Sequence, residues 1–340
     1  MPAPMPPALV LTAGRGRRLA PLTDIRAKPA VPVAGRPLVL RILDWLAGQG
    51  VEEAVLNLHH RPDTITRSVG YGAAAGVRVR YSWEPVLLGS AGGPRQALPF
   101  LGPRFFVVNG DTLADVDLRA LLDDHSRTRA AVTLGVTAHP DPARYGGVLV
   151  AADGRVRGFA AAGGAAAAHF VGVQVAEASA FADLPAGQPA ATVGGLYDRL
   201  LRSPGGNGPG VIRAHAGSAR FLDVGTPSDY LAACIAVAEE EGQGAPAPGA
   251  GSEVHPTAVL TRTVVWNRAV IGPRCRLEDC IVTDDVHLPA GTELRGAVCV
   301  ARAGAPGSGD GRPGSRRPLP AGVVGNARVS PLDAGTGAGP

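Results

Sequence analysis

The chain has 340 residues, 45% of them hydrophobic and 18% charged. That is enough apolar matter for a sizeable core and too little charge for a disordered or acidic-tail protein. Its 47 glycines and 31 prolines follow no G-X-Y period, which excludes a collagen-like rod, and the net charge of +4 rests on cations spread along the chain, which marks no nucleic-acid surface.

Those cations are almost all arginine: of 33 basic residues, one is lysine, Lys28. The two side chains are not interchangeable where a compact ammonium is needed, so the position of the lone lysine is informative. Four cysteines, Cys234, Cys275, Cys280 and Cys299, form no C-x-x-C pair and have no histidine at zinc spacing. They read as reduced, partly buried thiols of a cytoplasmic protein. The opening MPAPMPPALVLTAG lacks a basic n-region and a long apolar run, so no signal peptide is expected. Residues 158–176 are uncharged but rich in Ala and Gly, and they read as a loop and a buried strand rather than a membrane span.

In chain order, ALVLTA (8–13) suits a buried parallel strand ending in a Gly/Arg-rich loop. Pro37 is expected to open a helix with Leu38, Ile42, Trp45 and Leu46 on one face, closed by Gly48 and Gly50. EAVLNL (53–58) is a strand, RPDTITRSV a short helix and VRVRYS (77–82) a third strand; Trp83 reads as packing. A helix near 91–98 leads to RFFVVNG (104–110), with Asp111 just past its end. Alternation at this spacing predicts a doubly wound α/β domain with a mostly parallel sheet. From about 130 to 225 the pattern is richer in strands. LDVGTPSDYLAACIAVAEEE then gives a helix with Thr226 as cap, and GQGAPAPGAG (242–251) a linker. Residues 252–300 place Val264, Val270, Cys280/Ile281 and Val286 at steps near six, with Gly272 and Gly291 at turns. This is the pattern of a short left-handed β-helix of about three rungs. Residues 301–340, rich in Gly and Pro, are expected to be disordered.

Three phosphate-binding templates compete for LTAGRGRRLAPLTDIRAKPAVPVAG. No G-K-[ST] follows the glycines, so a P-loop fails; Leu19 and the histidines His59 and His60 fail the dinucleotide fingerprint. A Gly-rich turn able to cradle a triphosphate remains, followed by Arg17, Arg18 and Lys28 with the stiffening prolines Pro29 and Pro32.

The run Gly14-x-Gly16-x-Arg18-Leu19-x-Pro21-Leu22-Thr23, then Lys28-Pro29, resembles the opening motif of the sugar-1-phosphate nucleotidyltransferases. EPVLLGSAGG (84–93), VVNGDTL (107–113) and RFLDVGTPSDYLAA (220–233) resemble three further segments of that family, in its order. The likeness spans roughly residues 8–240, and a β-helix tail also occurs in the family. It implies a nucleotide-diphospho-sugar transferase type of sheet over 8–241, with the β-helix at 252–300 as a surface for association between copies.

It further implies that Arg18 and Lys28 are catalytic, and that Leu11, Ala13, Gly14, Gly16, Gly89 and Gly92 bind the nucleotide, with Glu84 a lesser candidate at the base. Gly147 and Gly172 would line the sugar, and Asp111 and Asp223 would hold Mg²⁺. The substrates would be an NTP and a sugar-1-phosphate, with mannose-1-phosphate and GTP as the working pair. Both reactants are anionic, so positioning and charge neutralisation carry the reaction, and a flexible ammonium can follow phosphate charge as it shifts.

Read without the resemblance, Asp111 could equally close a turn after Asn109-Gly110, and Asp223 could cap a helix. His59 and His60 are assigned no role. Many family members carry a Glu-Lys-Pro segment after a Phe at this point, whereas Phe159 is followed by AAAGGAAAA. That departure leaves a second reading: a sugar-nucleotide-binding regulatory subunit without catalysis.

Overall fold

The structure, a computed structural model, describes residues 4–164, 168–202, 212–302 and 322–333. It resolves into two compact units that do not follow chain order. The first comprises Met1–Arg15, Ala27–Ala30 and Leu38–Leu222; the second comprises Gly16–Arg26, Val31–Pro37 and Asp223–Pro340.

The first unit is built on a nine-stranded sheet. Its strands are β1 (Ala8–Leu11), β2 (Glu53–Leu58), β3 (Arg78–Trp83), β4 (Arg104–Asn109), β5 (Val132–Ala138), β6 (Gly147–Val150), β7 (Val156–Ala160), β8 (Ala168–Glu177) and β9 (Ile212–Ala216). The main path runs β7-β6-β8-β4-β1-β2-β3, and β5 pairs with β8 and β9. β1 lies parallel to β2 and β4, in register Ala8↔Ala54 and Ala8↔Phe106, and β2 is parallel to β3. β8 runs antiparallel to β4 and β5. The central strands are short apolar runs, as strands covered on both faces must be: Leu9, Leu56, Phe105 and Phe106 are fully buried.

Helices α1 (Leu38–Gly48), α2 (Pro62–Val69), α3 (Gly89–Ala97) and α4 (Leu118–Thr128) connect the strands, followed by the short α5 (Ser179–Ala182) and α6 (Tyr197–Arg202). α1 buries Leu38, Ile42 and Leu46 as its spacing predicts, but it starts at Leu38. Pro37 instead sits in a two-stranded turn, Pro32–Val33 against Arg36–Pro37, because Ala34 and Gly35 fold the chain back with positive φ. Trp83 is half-exposed rather than packed, since β3 is the edge strand of the sheet among the described residues.

In the second unit, α7 (Pro227–Glu240) opens on Thr226, whose side chain accepts from Asp229 N–H while the Asp229 carboxylate accepts from Thr226 N–H. This reciprocal cap satisfies two of the donors a helix start leaves open. Beyond it three small parallel sheets stack as coils of a β-helix: Glu253↔Val270↔His287, Val259↔Arg276↔Glu293 and Val264↔Ile281↔Val298. Each coil is 17 residues, three sides of about six. Corners stack in left-handed backbone: Gly251, Arg268 and Asp285 along one edge, Arg262, Asp279 and Gly296 along another. Non-glycine residues at positive φ carry strain, and here bidentate Arg268–Asp285 contacts at 2.7 and 2.8 Å and Arg262–Asp279 at 2.7 Å tie successive corners together. Ile271, Leu277, Val282, Val286 and Leu288 fill the interior with Cys275, Cys280 and Cys299.

The expected disorder of 301–340 is corrected within the described residues. The last strand of the coil runs Ala297–Ala301 and pairs antiparallel with Ala327–Pro331, which pairs in turn with Val323–Val324. Composition hid this hairpin: the alternating VVGNARVS carries a Gly325-Asn326 turn and buries Ala327 completely. Residues 303–321 and 334–340 lie outside the described residues.

Candidate active site

The carboxyl ends of β1 and β4 are drawn tightly together. Gly110 N–H donates to Leu11 O at 3.1 Å, and a Cβ at Gly110 would stand 2.4 Å from that same oxygen, so only glycine fits. Asp111 therefore emerges at the end of parallel strands, where open α/β sheets bind ligands. The lone lysine is brought to it: Lys28 Nζ lies 2.8 Å from Asp111 Oδ2, with the lysine side chain 9% exposed and the carboxylate 41%. Lys28 sits in a 3-10 turn, Lys28–Ala30, with Pro29 and Ala30 also buried, so its stem is held while its ammonium faces an accessible carboxylate. Thr112 Oγ1 donates to Asp111 Oδ1 at 3.2 Å.

A buried polar network sits beside these strand ends. Asn57 Oδ1 accepts from Thr12 N–H at 2.6 Å and its Nδ2 donates to Glu84 Oε1 at 2.7 Å; Glu84 Oε2 accepts from Leu88 N–H at 2.9 Å. The orientation of the amide is unambiguous, because Thr12 N–H can only donate and a doubly engaged carboxylate accepts. Glu84, with no exposed surface, thus braces the 84–93 loop from within instead of facing a base. Asn57 was not singled out from sequence, although a lone amide inside the apolar run EAVLNL was a usable signal.

Leu11 and the buried Ala13 lead into Gly14, whose surroundings are open. Gly89 opens α3 at φ 76°, and Ala91 and Gly92 N–H both donate to Ala190 O, at 2.9 and 3.2 Å. The absent Cβ of Gly92 would meet Gln188 O at 2.6 Å, so this glycine admits the 188–190 backbone.

A cleft of about 280 Å³ opens off β1, β4 and β6–β8. Leu11, Asn109, Gly147, Phe159, His169 and Tyr197 line it, and no Asp, Glu, Lys or Arg of the described residues does. Phe159 stacks on Tyr197 with centroids 5.9 Å apart, and Tyr197 Oη donates to Gln174 Oε1 at 2.6 Å. Complete burial pushes the Tyr197 phenol well above its ordinary value. His169 is buried against the rings of His139, Tyr145 and Phe221, and that burial lowers its pKa below the ordinary 6.5. Gly147 is in the lining; Gly172 is not. Gly172 forms a bulge in β8 at φ 82°, where its missing Cβ would stand 3.0 Å from the Asn109 side chain, so it acts on the cleft through Asn109.

Gly16, Arg18 and Asp223 belong to the second unit. Gly16 adopts φ 59° ahead of the turn Arg17–Leu19; Arg18 is exposed, Leu19 and Leu22 are fully buried, and Thr23 Oγ1 donates to Gly16 O at 3.2 Å. Asp223 is not the cap of α7, a role taken by Thr226, and Gly225 leaves it room: a Cβ there would lie 2.8 Å from Asp223 Oδ2.

No cluster of three His, Cys, Asp or Glu among the described residues could enclose a metal. The available donors are hard carboxylate oxygens, with Asp111 accessible, and such a set fits a cation bound by one or two carboxylates and completed by substrate phosphates.

Residues 7–161 match the family model described as nucleotidyl transferase. The mannose-1-phosphate guanylyltransferase of Mycobacterium tuberculosis is 30% identical over 299 residues, which cover 84% of this chain and 81% of that protein. The chain belongs to the sugar-1-phosphate nucleotidyltransferases. This nucleotidyltransferase is also 42% identical to the N-acetylmuramate alpha-1-phosphate uridylyltransferase of Neisseria meningitidis over 134 residues, 39% of the chain and 56% of that relative. Among solved structures, HddC from Yersinia pseudotuberculosis superposes with a TM-score of 0.60 at 25% identity, covering 68% of this chain and all of HddC. The nucleotidyltransferase is an enzyme of nucleotide-sugar synthesis, from a family that generally uses a divalent metal. No helix among its described residues is long and apolar enough to cross a membrane.

Proposed function

We propose that the enzyme joins GTP and mannose-1-phosphate to give GDP-mannose and pyrophosphate, with Lys28 and Asp111 at the reacting phosphates. The observation that carries the assignment of these residues is the 2.8 Å Lys28–Asp111 contact at the carboxyl ends of β1 and β4. The sugar phosphate oxygen attacks the α-phosphorus, the bond to the β-phosphate oxygen breaks, and pyrophosphate leaves. Lys28, on a buried stem, moves its ammonium from Asp111 to phosphate oxygens and follows the charge toward the leaving group. Arg18 clamps the triphosphate; Leu11, Ala13, Gly14, Gly16, Gly89 and Gly92 shape the nucleotide pocket. Asp111 and Asp223 would hold Mg²⁺, which when bound offsets the charge of the two phosphates.

Gly147 borders the sugar directly, and Gly172 sets Asn109 beside it. The cleft favours mannose over N-acetylmuramate: an acidic sugar would bring its carboxylate against a lining to which the described residues contribute no Lys or Arg. All four cysteines of the chain are buried thiols outside any disulfide, in keeping with a cytoplasmic enzyme. Association of copies through the β-helix belongs to the same reading. The test is pyrophosphate release from four NTPs crossed with mannose-, glucose- and N-acetylmuramate-1-phosphate, with Mg²⁺ and with EDTA. A signal confined to GTP with mannose-1-phosphate supports the pair; preference for another pair replaces it.

A further inference from the structure

The loop Gly16–Arg26, which carries Arg18, is secured from the far end of the chain. Arg26 Nε donates to Asp284 Oδ2 at 2.8 Å and its Nη2 to Asp284 Oδ1 at 2.7 Å, across 258 residues of sequence. The two side chains are 18% and 10% exposed. Asp284 stands at a corner of the β-helix, and its Oδ1 also accepts from the N–H of Asn267, one coil earlier, at 3.0 Å. The carboxylate is therefore aimed before Arg26 reaches it.

The Arg26 guanidinium also lies 5.2 Å from the centre of the Trp266 ring. A planar fork can bind a carboxylate through two bonds and lie over an aromatic face at once, which an ammonium cannot do. Trp266 is itself fixed: fully buried, it donates Nε1–H to Tyr230 Oη on α7 at 2.7 Å, and Tyr230 donates to Pro32 O at 2.5 Å. Both stretches that flank residues 27–30 in sequence, Gly16–Arg26 and Val31–Pro37, thus end on anchors supplied by the β-helix or α7.

We propose that the β-helix is the anchor of the triphosphate loop, with Arg26 a positioning residue that sets Arg18 and Gly16 for NTP binding through Asp284 and Trp266. This rests on the reading of Arg18 as a triphosphate ligand. It gives the C-terminal coils a part in nucleotide binding that is independent of association between copies.

The test compares Arg26→Gln, Asp284→Asn and the double variant in the full-length protein. The readouts are KM for each substrate, kcat, and amide hydrogen exchange over residues 17–26. Each single change should raise KM for the NTP roughly ten-fold and leave KM for the sugar-1-phosphate within about two-fold, and the double should be little worse than either single, as expected of partners in one contact. Exchange over 17–26 should quicken in all three.

An NTP KM unchanged in Asp284→Asn overturns the proposal, even if melting temperature falls, because the pair would then serve stability alone. Equal rises in both KM values also overturn it. If Asp284→Asn does not fold, Trp266→Phe keeps an aromatic ring, removes the bond to Tyr230 and is read by the same criteria. Failure of the wild-type enzyme to transfer with any substrate pair would instead refute the functional reading, while loop exchange would still report whether Asp284 holds residues 17–26.

Discussion

Asn57→Asp changes one atom at the centre of the buried network and reverses one hydrogen bond. In the native structure Asn57 Nδ2 donates to Glu84 Oε1 at 2.7 Å, and these residues are 3% and 0% exposed. Aspartate keeps the acceptor for Thr12 N–H but sets a second carboxylate oxygen against Glu84. The loss of a charge-assisted bond and the repulsion between buried like charges together cost about 3–5 kcal/mol, in line with breaking a buried ionic contact. Adding Glu84→Gln restores the pattern with reversed polarity: the amide introduced at position 84 would donate to the carboxylate introduced at position 57 and still accept from Leu88 N–H. We expect the double variant to recover to within about 1 kcal/mol of wild type, a coupling that distant sites do not show. Urea denaturation gives the stabilities and NTP titration reports the state of the 84–93 loop. Additive losses in the double variant, or an Asn57→Asp variant as stable as wild type at pH 8, would refute this account of the network.

Lys28→Ala should lower kcat by about 10²–10³-fold with the fold intact, and Lys28→Arg should recover only part of it, as turnover assays beside circular dichroism will show. Asp223→Asn should shift the Mg²⁺ titration to higher concentration; an unchanged titration would remove Asp223 from the metal. Burial holds His169 below its ordinary 6.5, so the unfolded chain takes up the proton first. Its contribution to stability is present above pH 6.5 and is lost as pH falls below that value; His169→Gln should flatten this part of the pH–stability curve in denaturation measurements. Gly110→Ala forces a Cβ to 2.4 Å from Leu11 O, and parting β1 from β4 should destabilise the fold by about 1–3 kcal/mol and depress turnover.

Much of the first unit could be read from sequence because its strands are short apolar runs set between caps and turns. Glu53–Leu58 matches its expected span, and Arg104–Asn109 ends just before the acid that the motif marks. The β-helix showed as steps near six, the sides of a 17-residue coil whose stacked corners only the register reveals. Pairings distant in sequence were hidden. Nothing local announces that Arg26 belongs with Asp284, or that Asn57 turns its amide to Glu84, since each depends on elements brought together by the fold. The 322–333 hairpin was concealed for a different reason, because Gly and Pro around it dilute a short alternating pattern. Gly92 and Gly172 stand at positions where a side chain is excluded, yet protein atoms, Gln188 O and Asn109, supply the immediate steric reason.

The most direct measurement is ³¹P NMR of the purified enzyme with GTP, mannose-1-phosphate and Mg²⁺. The expected result is loss of the sugar phosphate and triphosphate resonances and growth of two coupled diphosphate signals of the nucleotide sugar alongside free pyrophosphate, with none of this over the same period for Lys28→Ala. Orthophosphate and GDP in place of pyrophosphate, or equal conversion by Lys28→Ala, would contradict it.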